Sequence, residues 1–219
     1  VVKKHGKSTE ETELVEGVVI DKEVSHSQMP KQVHNAKIAL LNQKLEIEKT
    51  EFDAKINIEN PDQMHKFLDE EERMLKEMVE QIANSGANVV LCEKGIDDIA
   101  LHFLAKRGIV ASKNLSSGDM EKLAKATGGK ILASTKDLSH EALGEAKLVE
   151  EVKIGDDKLI YVRECRDPRA VTIVLRGGSE HVVDEAERSL HDGLCVVRNA
   201  VEDGKIVAGG GAPEAEAAK

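Results

Sequence analysis

Asn88-Val89-Val90-Leu91, then Asp97-Asp98-Ile99 through Ala105, then Ile109-Val110-Ala111, then Ser117-Gly118-Asp119 through Thr127, then Lys130-Ile131-Leu132-Ala133: residues 88–134 alternate short apolar runs with helix-length segments. Each short run is bounded by glycine or polar residues and reads as a strand. Asp97 and Asp98 open the first helix, because carboxylates favour the positive end of the helix dipole. Gly108 closes it. The second helix starts at Ser117-Gly118-Asp119 and stops at Gly128-Gly129. A βαβα order of this kind predicts an α/β core.

Toward the C-terminus, Leu148 to Ile154, a turn at Gly155-Asp156-Asp157 and Leu159 to Arg163 read as a hairpin. Ala170 to Leu175 is a further strand, stopped by Gly177-Gly178. A long helix over 180–203 follows, with Val182, Val183, Ala186, Leu190, Leu194, Val197 and Val201 as its predicted buried face and Gly204 as its end. Toward the N-terminus, Lys37 to Leu41 is a short buried strand, and 21–37 is loop-like around Met29-Pro30. Leu14 to Ile20 is a strand interrupted by Gly17, which predicts a bend or hinge.

Residues 42–60 are sparse in apolar side chains and dense in charge. Asn60-Pro61-Asp62-Gln63 then starts a helix: Asn60 caps, Pro61 suits the first position, and Gln63 reaches back. Met64, Phe67, Leu68, Met74, Leu75, Met78, Val79 and Ile82 follow at helical spacing, and Gly86 ends the run. A helix of ~23 residues is ~35 Å long. Its first half has little core to rest on and is expected to project.

The chain has 219 residues and a formal net charge of −10. That length suits one sizeable domain or a domain with an appendage, and 40% hydrophobic content supplies a core. The negative balance and four aromatics (Phe52, Phe67, Phe103, Tyr161) argue against nucleic-acid binding. No apolar run reaches the ~20 residues of a membrane span, and the polar start is not a signal peptide. Val1 in place of Met points to an excised segment. Cys92, Cys165 and Cys195 form no CxxC, which fits a reducing cytoplasm and small buried hydrophobes.

The motifs with chemistry are few. Gly6-Lys7-Ser8-Thr9 resembles the end of a P-loop, but Val1 stands where its first glycine belongs and the flanks are charged. The histidines include no HxxxH or HExxH pair, and His181 and His191 are too far apart to share a metal, so no metal site is expected. Spacing suggests no Cys/His pairing. Asp192, taken alone, is a solvated carboxylate paired with Arg188. Gly209-Gly210-Gly211 would admit a close backbone approach or serve as a linker.

Several stretches together resemble the group II chaperonins, most closely the archaeal thermosome family. They are Glu13 to Glu23, Met29-Pro30-Lys31, Lys37 to Leu41, Leu45 to Glu51, Gly95 to Ala100, Met120 to Gly128, Leu175 to His181, Leu190-His191-Asp192 and Gly209 to Glu214. The resemblance covers essentially the whole chain. It implies an α/β apical-domain-like fold with a projecting helical lid segment and an attached intermediate-domain helix. Residues 1–16 would be an intermediate-domain segment. Residues 17–177 would be the apical, client-binding domain, with the helical protrusion at about 44–75. Residues 178–207 would hold the intermediate-domain helix, and 208–219 the start of the equatorial segment or a tail. Gly17, Gly177 and Gly178 would form the hinge.

The resemblance also assigns roles. Asp192 matches the family's water-activating aspartate, followed here by Gly193 where the family usually has Ala. Gly209, Gly210 and Gly211 match nucleotide-contacting glycines. Leu101, His102, Leu104, Ala105, Arg107, Lys113 and Asn114 would bind clients, and Ile56, Ile58, Met64, Phe67 and Leu68 would be the adhesive part of the lid. The family's Gly-Asp-Gly-Thr-Thr phosphate loop and metal-binding carboxylate have no counterpart. ATP and Mg therefore belong to a parent subunit, and none is expected for this segment, which alone is not expected to be catalytic. The implied partners are unfolded polypeptides and, for the parent, other subunits of a double ring. Two alternatives remain: a working ATPase subunit if equatorial parts are supplied, and an ATP-independent holdase.

Overall fold

A computed structural model describes residues 1–6, 8–47, 61–167 and 169–219, with the backbone alone at 61–68. The chain divides into two units. The larger comprises Val2 and Glu13–Val174; the smaller comprises Val1, Lys3–Thr12 and Leu175–Lys219. In chain order the elements are β1 (Val2–His5), β2 (Glu13–Ile20), β3 (Gln32–Leu41), α1 (Pro61–Asn84), β4 (Val89–Cys92), α2 (Asp98–Lys106), β5 (Val110–Ser112), α3 (Ser117–Thr127), β6 (Ile131–Leu132), β7 (Gly144–Ile154), β8 (Asp157–Cys165), β9 (Val171–Gly177), α4 (Glu180–Asp203) and α5 (Ala212–Ala217).

In the larger unit the strand order is β9-β2-β8-β7-β3-β4-β5. β3, β4 and β5 are parallel, as a βα succession requires, while β3, β7, β8, β2 and β9 pair antiparallel. β7 leaves β3 opposite Ile38, and β6 then runs parallel beside Leu40 and Leu41. The parallel strands are apolar at successive positions because both faces are covered. Alternate residues go to opposite sides. Ala39, Leu41, Val90, Cys92 and Ala111 pack with Leu75, Val79 and Ile82 of α1 and with Ala100, Leu101 and Leu104 of α2. Ile38, Leu40, Val89, Leu91 and Val110 pack with Met120, Leu123 and Ala126 of α3.

The helix ends follow the sequence chemistry. Asp97 accepts a hydrogen bond from Ile99 N at 2.8 Å and caps α2. Ser116 Oγ accepts from Asp119 N at 3.1 Å and caps α3. In α1, Leu75, Val79 and Ile82 are buried, whereas Asp69, Glu70, Glu72, Arg73 and Met74 are exposed. The helix is thus seated through its second half. Its root is tied by a partly buried polar chain. Gln43 Oε1 accepts from Thr135 N at 2.9 Å, and Thr135 Oγ1 donates to Gln81 Oε1 at 2.7 Å. The Asn60 cap and the reading of 48–60 lie outside the described residues.

Gly17 stands where β2 changes partners. Glu13 to Glu16 pair with β9, and Gly17 to Ile20 pair with β8. Gly17 has φ +142°, and a Cβ there would lie 1.9 Å from the Val162 carbonyl oxygen. Thr172 bridges the break: its hydroxyl donates to Gly17 O at 2.8 Å and accepts from Val19 N at 3.4 Å. Opposite Gly17, Arg163 pairs with Glu150 at 2.9 Å and Glu13 at 3.3 Å, with its guanidinium 4.7 Å above the Tyr161 ring. The predicted bend is therefore a change of partner within a continuous strand.

In the smaller unit, Gly6 N donates to Gly177 O at 2.9 Å. α4 starts at the Ser179 cap, whose hydroxyl accepts from Val182 N at 3.4 Å. A Cβ on Gly177 would meet Val183 Cγ2 at 2.7 Å, so the helix start rests directly on strand backbone. Lys3 Nζ lies 3.0 Å from Asp184 and 2.9 Å from Glu187. The predicted buried face of α4 is corrected here. Val183 alone is buried; Val182, Leu194, Val197 and Val201 are exposed, Val201 at 78%. Their spacing is amphipathic, but the described chain supplies packing only at the first turn.

Candidate functional site

α2 carries the candidate surface. It is short and apolar on most sides, so spacing alone does not tell its inner face from its outer one. The structure does. Ala100, Leu101 and Leu104 turn inward, Leu101 at 2% and Leu104 at 0% exposure. Their expected role as client contacts is corrected: as folded, both are committed to the core beneath α2. Ala105 and Phe103 are half-buried against the same core. The outer face presents Asp98, Ile99, His102, Lys106 and Arg107, with Ile99 47% exposed.

Neighbouring elements extend this face. The His102 ring meets His26 edge-on at 6.2 Å and Phe103 at 6.2 Å. His26 is held in the loop after β2, where Ser25 N donates to Ala111 O at 2.9 Å. Lys113 N donates to Ser25 Oγ at 3.1 Å, and Lys113 Nζ reaches Ile96 O at 3.3 Å and Asp98 at 3.5 Å. Asn114 is exposed at φ +58°, its N–H on Lys94 O at 3.1 Å. Arg107 pairs with Glu80 of α1 at 3.3 Å. His102, Arg107, Lys113 and Asn114 therefore lie on α2 and the segments around it, together with Ile99 and His26, which the sequence reading missed. Ile99 had a usable signal: it lies outside the 100, 101, 104 stripe. His26 had none, because its approach depends on a loop fold.

The other expected residues are elsewhere. Ile56 and Ile58 lie outside the described residues. Met64, Phe67 and Leu68 fall in the first turns of α1, where only the backbone is described. Asp192 and Gly193 are exposed on α4. Arg188 pairs with Glu185, which corrects its expected pairing with Asp192. Gly209, Gly210 and Gly211 are exposed, and Gly211 precedes α5. They do not form a phosphate cradle by themselves. A Cβ on Gly209 or Gly210 would meet open space, and one on Gly211 would approach only the Glu214 carboxylate, the wrong charge for a polyphosphate.

The cysteines occupy three different settings. Cys92 is fully buried, its thiol donating to Gln43 O at 3.1 Å, and burial pushes its pKa up to about 11. Burial raises that of half-buried Cys165 as well. Cys195 Sγ instead lies 3.6 Å from His191 Nε2, one turn away on α4. The i, i+4 spacing was the signal for this pair, and the reading of Cys/His spacing overlooked it. Iodoacetamide at neutral pH is expected to alkylate Cys195 first and Cys92 only after unfolding, as peptide mapping over time would show. Equal rates at the three thiols would contradict these burials. Among the described residues, no group of three or more His, Cys, Asp or Glu is placed to hold a metal, and no helix is long and apolar enough to cross a membrane.

A mixed α/β sheet covered by helices in this order is the fold of a group II chaperonin domain. A similar solved structure is the open-state monomer of a group II chaperonin from Methanococcoides burtonii, with a TM-score of 0.80 and 41% identity over 95% of this chain and 46% of that one. The sequence signature of the TCP-1/cpn60 chaperonin family matches residues 1–219, and the chain belongs to that family. Among curated relatives, the thermosome subunit of Methanopyrus kandleri is 59% identical over 217 residues, which is 99% of this chain and 40% of the relative. Thermosome subunit beta of Archaeoglobus fulgidus is 57% identical over 216 residues, again 99% and 40%. The chain thus spans about two fifths of the length of these curated relatives.

Proposed function

We propose that this chain is the client-binding and lid portion of an ATP-dependent group II chaperonin subunit. In this reading the outer face of α2, with Ile99, His102 and Arg107, joins His26, Lys113 and Asn114 to hold unfolded polypeptides. The observation that carries it is Ile99, a large aliphatic left 47% exposed in the first turn of α2 between the exposed polar residues Asp98 and His102. Residues 44–75 serve as the helical protrusion that covers a bound client. In this reading Gly17, Gly177 and Gly178 belong to the connections with an intermediate-domain portion that includes α4, whose exposed stripe packs against the remainder of the parent subunit. ATP and Mg act in that parent, within a double ring, where Asp192 orients the attacking water. In this scheme the segment alone works as a passive binder in the cytoplasm.

The test is light scattering of a chemically unfolded client diluted into the protein, with and without Mg-ATP. Suppression of aggregation that is indifferent to Mg-ATP is expected. Suppression followed by ATP-dependent release would overturn the division of labour and favour a working ATPase subunit. Absence of any suppression would sink client binding by this chain.

A further inference from the structure

We infer that His191 and Cys195 form a two-point clip on α4 for a soft or borderline divalent cation of the zinc class. The two side chains stand one helical turn apart, with Sγ and Nε2 separated by 3.6 Å. Zinc bonds of about 2.0–2.1 Å to nitrogen and 2.3 Å to sulfur, at a tetrahedral angle, set the two ligand atoms about 3.5 Å apart. The pair already has that bite, so binding needs no change of backbone and little of rotamer. Imidazole and thiolate together select zinc-like ions over magnesium or calcium, which prefer oxygen.

The setting allows an ion to enter. His191 is exposed and Cys195 is half-buried, while Asp192 and Gly193 between them are exposed. Access comes from the His191 side, since its ring is exposed on the face that the two ligands share. The other two thiols do not compete on equal terms. Cys92 is sealed in the core and Cys165 is half-buried, and burial raises the pKa of both. On binding, the metal ion replaces the thiol proton, which passes to solvent; a sulfur–metal bond forms, and one positive charge remains on the metal-bound pair. Uptake therefore strengthens as pH rises. His191 adjoins Asp192 in sequence, and the clip does not depend on client binding.

The test is titration of the 219-residue chain with Cd2+, read by the ultraviolet thiolate-to-metal charge-transfer band. One equivalent saturating the band is expected, with reversal by a chelator. Cys195→Ser should abolish the band. His191→Gln should weaken affinity at least ~10-fold, the loss seen when even a supporting partner of a metal ligand is removed. Both positions lie on the partly solvated face of a helix, so the variants keep the fold, and far-UV circular dichroism checks this. A band that survives in Cys195→Ser, an affinity unchanged in His191→Gln, or no saturable band in the parent chain would each overturn the clip.

Discussion

Gly17→Ala is expected to destabilise the chain by about 4 kcal/mol, at the severe end of single substitutions. Two costs coincide. Gly17 sits at φ +142°, a backbone region that side-chain-bearing residues avoid at roughly 1–3 kcal/mol. A methyl group would also lie 1.9 Å from the Val162 carbonyl oxygen, which is backbone and cannot rotate aside. Relief requires β2 to part from β8 at the pair Gly17–Arg163, next to the Thr172 bridge and the Arg163–Glu13 ion pair. Urea unfolding followed by circular dichroism measures the loss. A midpoint within experimental error of the parent chain would mean that β2 does not change partners as described.

The second large effect is a dissociation along one helix. Leu104→Ala should cost about 3 kcal/mol of stability, the usual range for deleting a fully buried leucine. Ile99→Asp should leave stability within about 0.5 kcal/mol, because the site is exposed and a carboxylate in the first turn complements the helix dipole. In the client light-scattering assay the order reverses under the proposed function. Ile99→Asp and His102→Ala lose suppression of aggregation, while Leu104→Ala retains it at temperatures where it stays folded. If Ile99→Asp suppresses as well as the parent chain, the outer face of α2 is not the contact surface. If Leu104→Ala is fully stable, the helix is not seated as described.

The elements that chemistry punctuates were the legible ones. Asp97, Ser117, Gly108 and Gly128 mark the ends of α2 and α3 in sequence, and the 88–134 alternation announces strands flanked by helices; the Ser116 cap emerged only from the structure. β1 and the first half of β3 were not legible: Val2–His5 and Gln32–Ala36 mix polar and apolar residues, and only pairing partners far along the chain make them strands. α5 falls within 208–219, which reads as the start of an equatorial segment or a tail, because six residues of Ala, Pro and Glu bury nothing. On α4 the amphipathic pattern was real, yet periodicity reports what a helix is built to cover, not what is present to be covered. The same limit explains α2. Six of its nine residues are apolar, so assigning Leu101 and Leu104 inward and Ile99 outward needed the sheet beneath. His26 and Thr135 act through tertiary contacts that leave no local trace in sequence.

The partner change in β2 has a consequence for how the chain comes off the ribosome. Val18, Val19 and Ile20 are made early, yet their ladder partners Val162, Tyr161 and Ile160 lie about 140 residues downstream. At synthesis rates of roughly 5–20 residues per second, that apolar run waits on the order of 7–30 seconds before its partner strand exists. The β7–β8 hairpin closes on itself in microseconds once made, so β2 is added to a finished edge rather than serving as the template. Translation speed between Ile20 and Val162 thus sets how long the nascent chain carries a sticky, unpaired strand of its own.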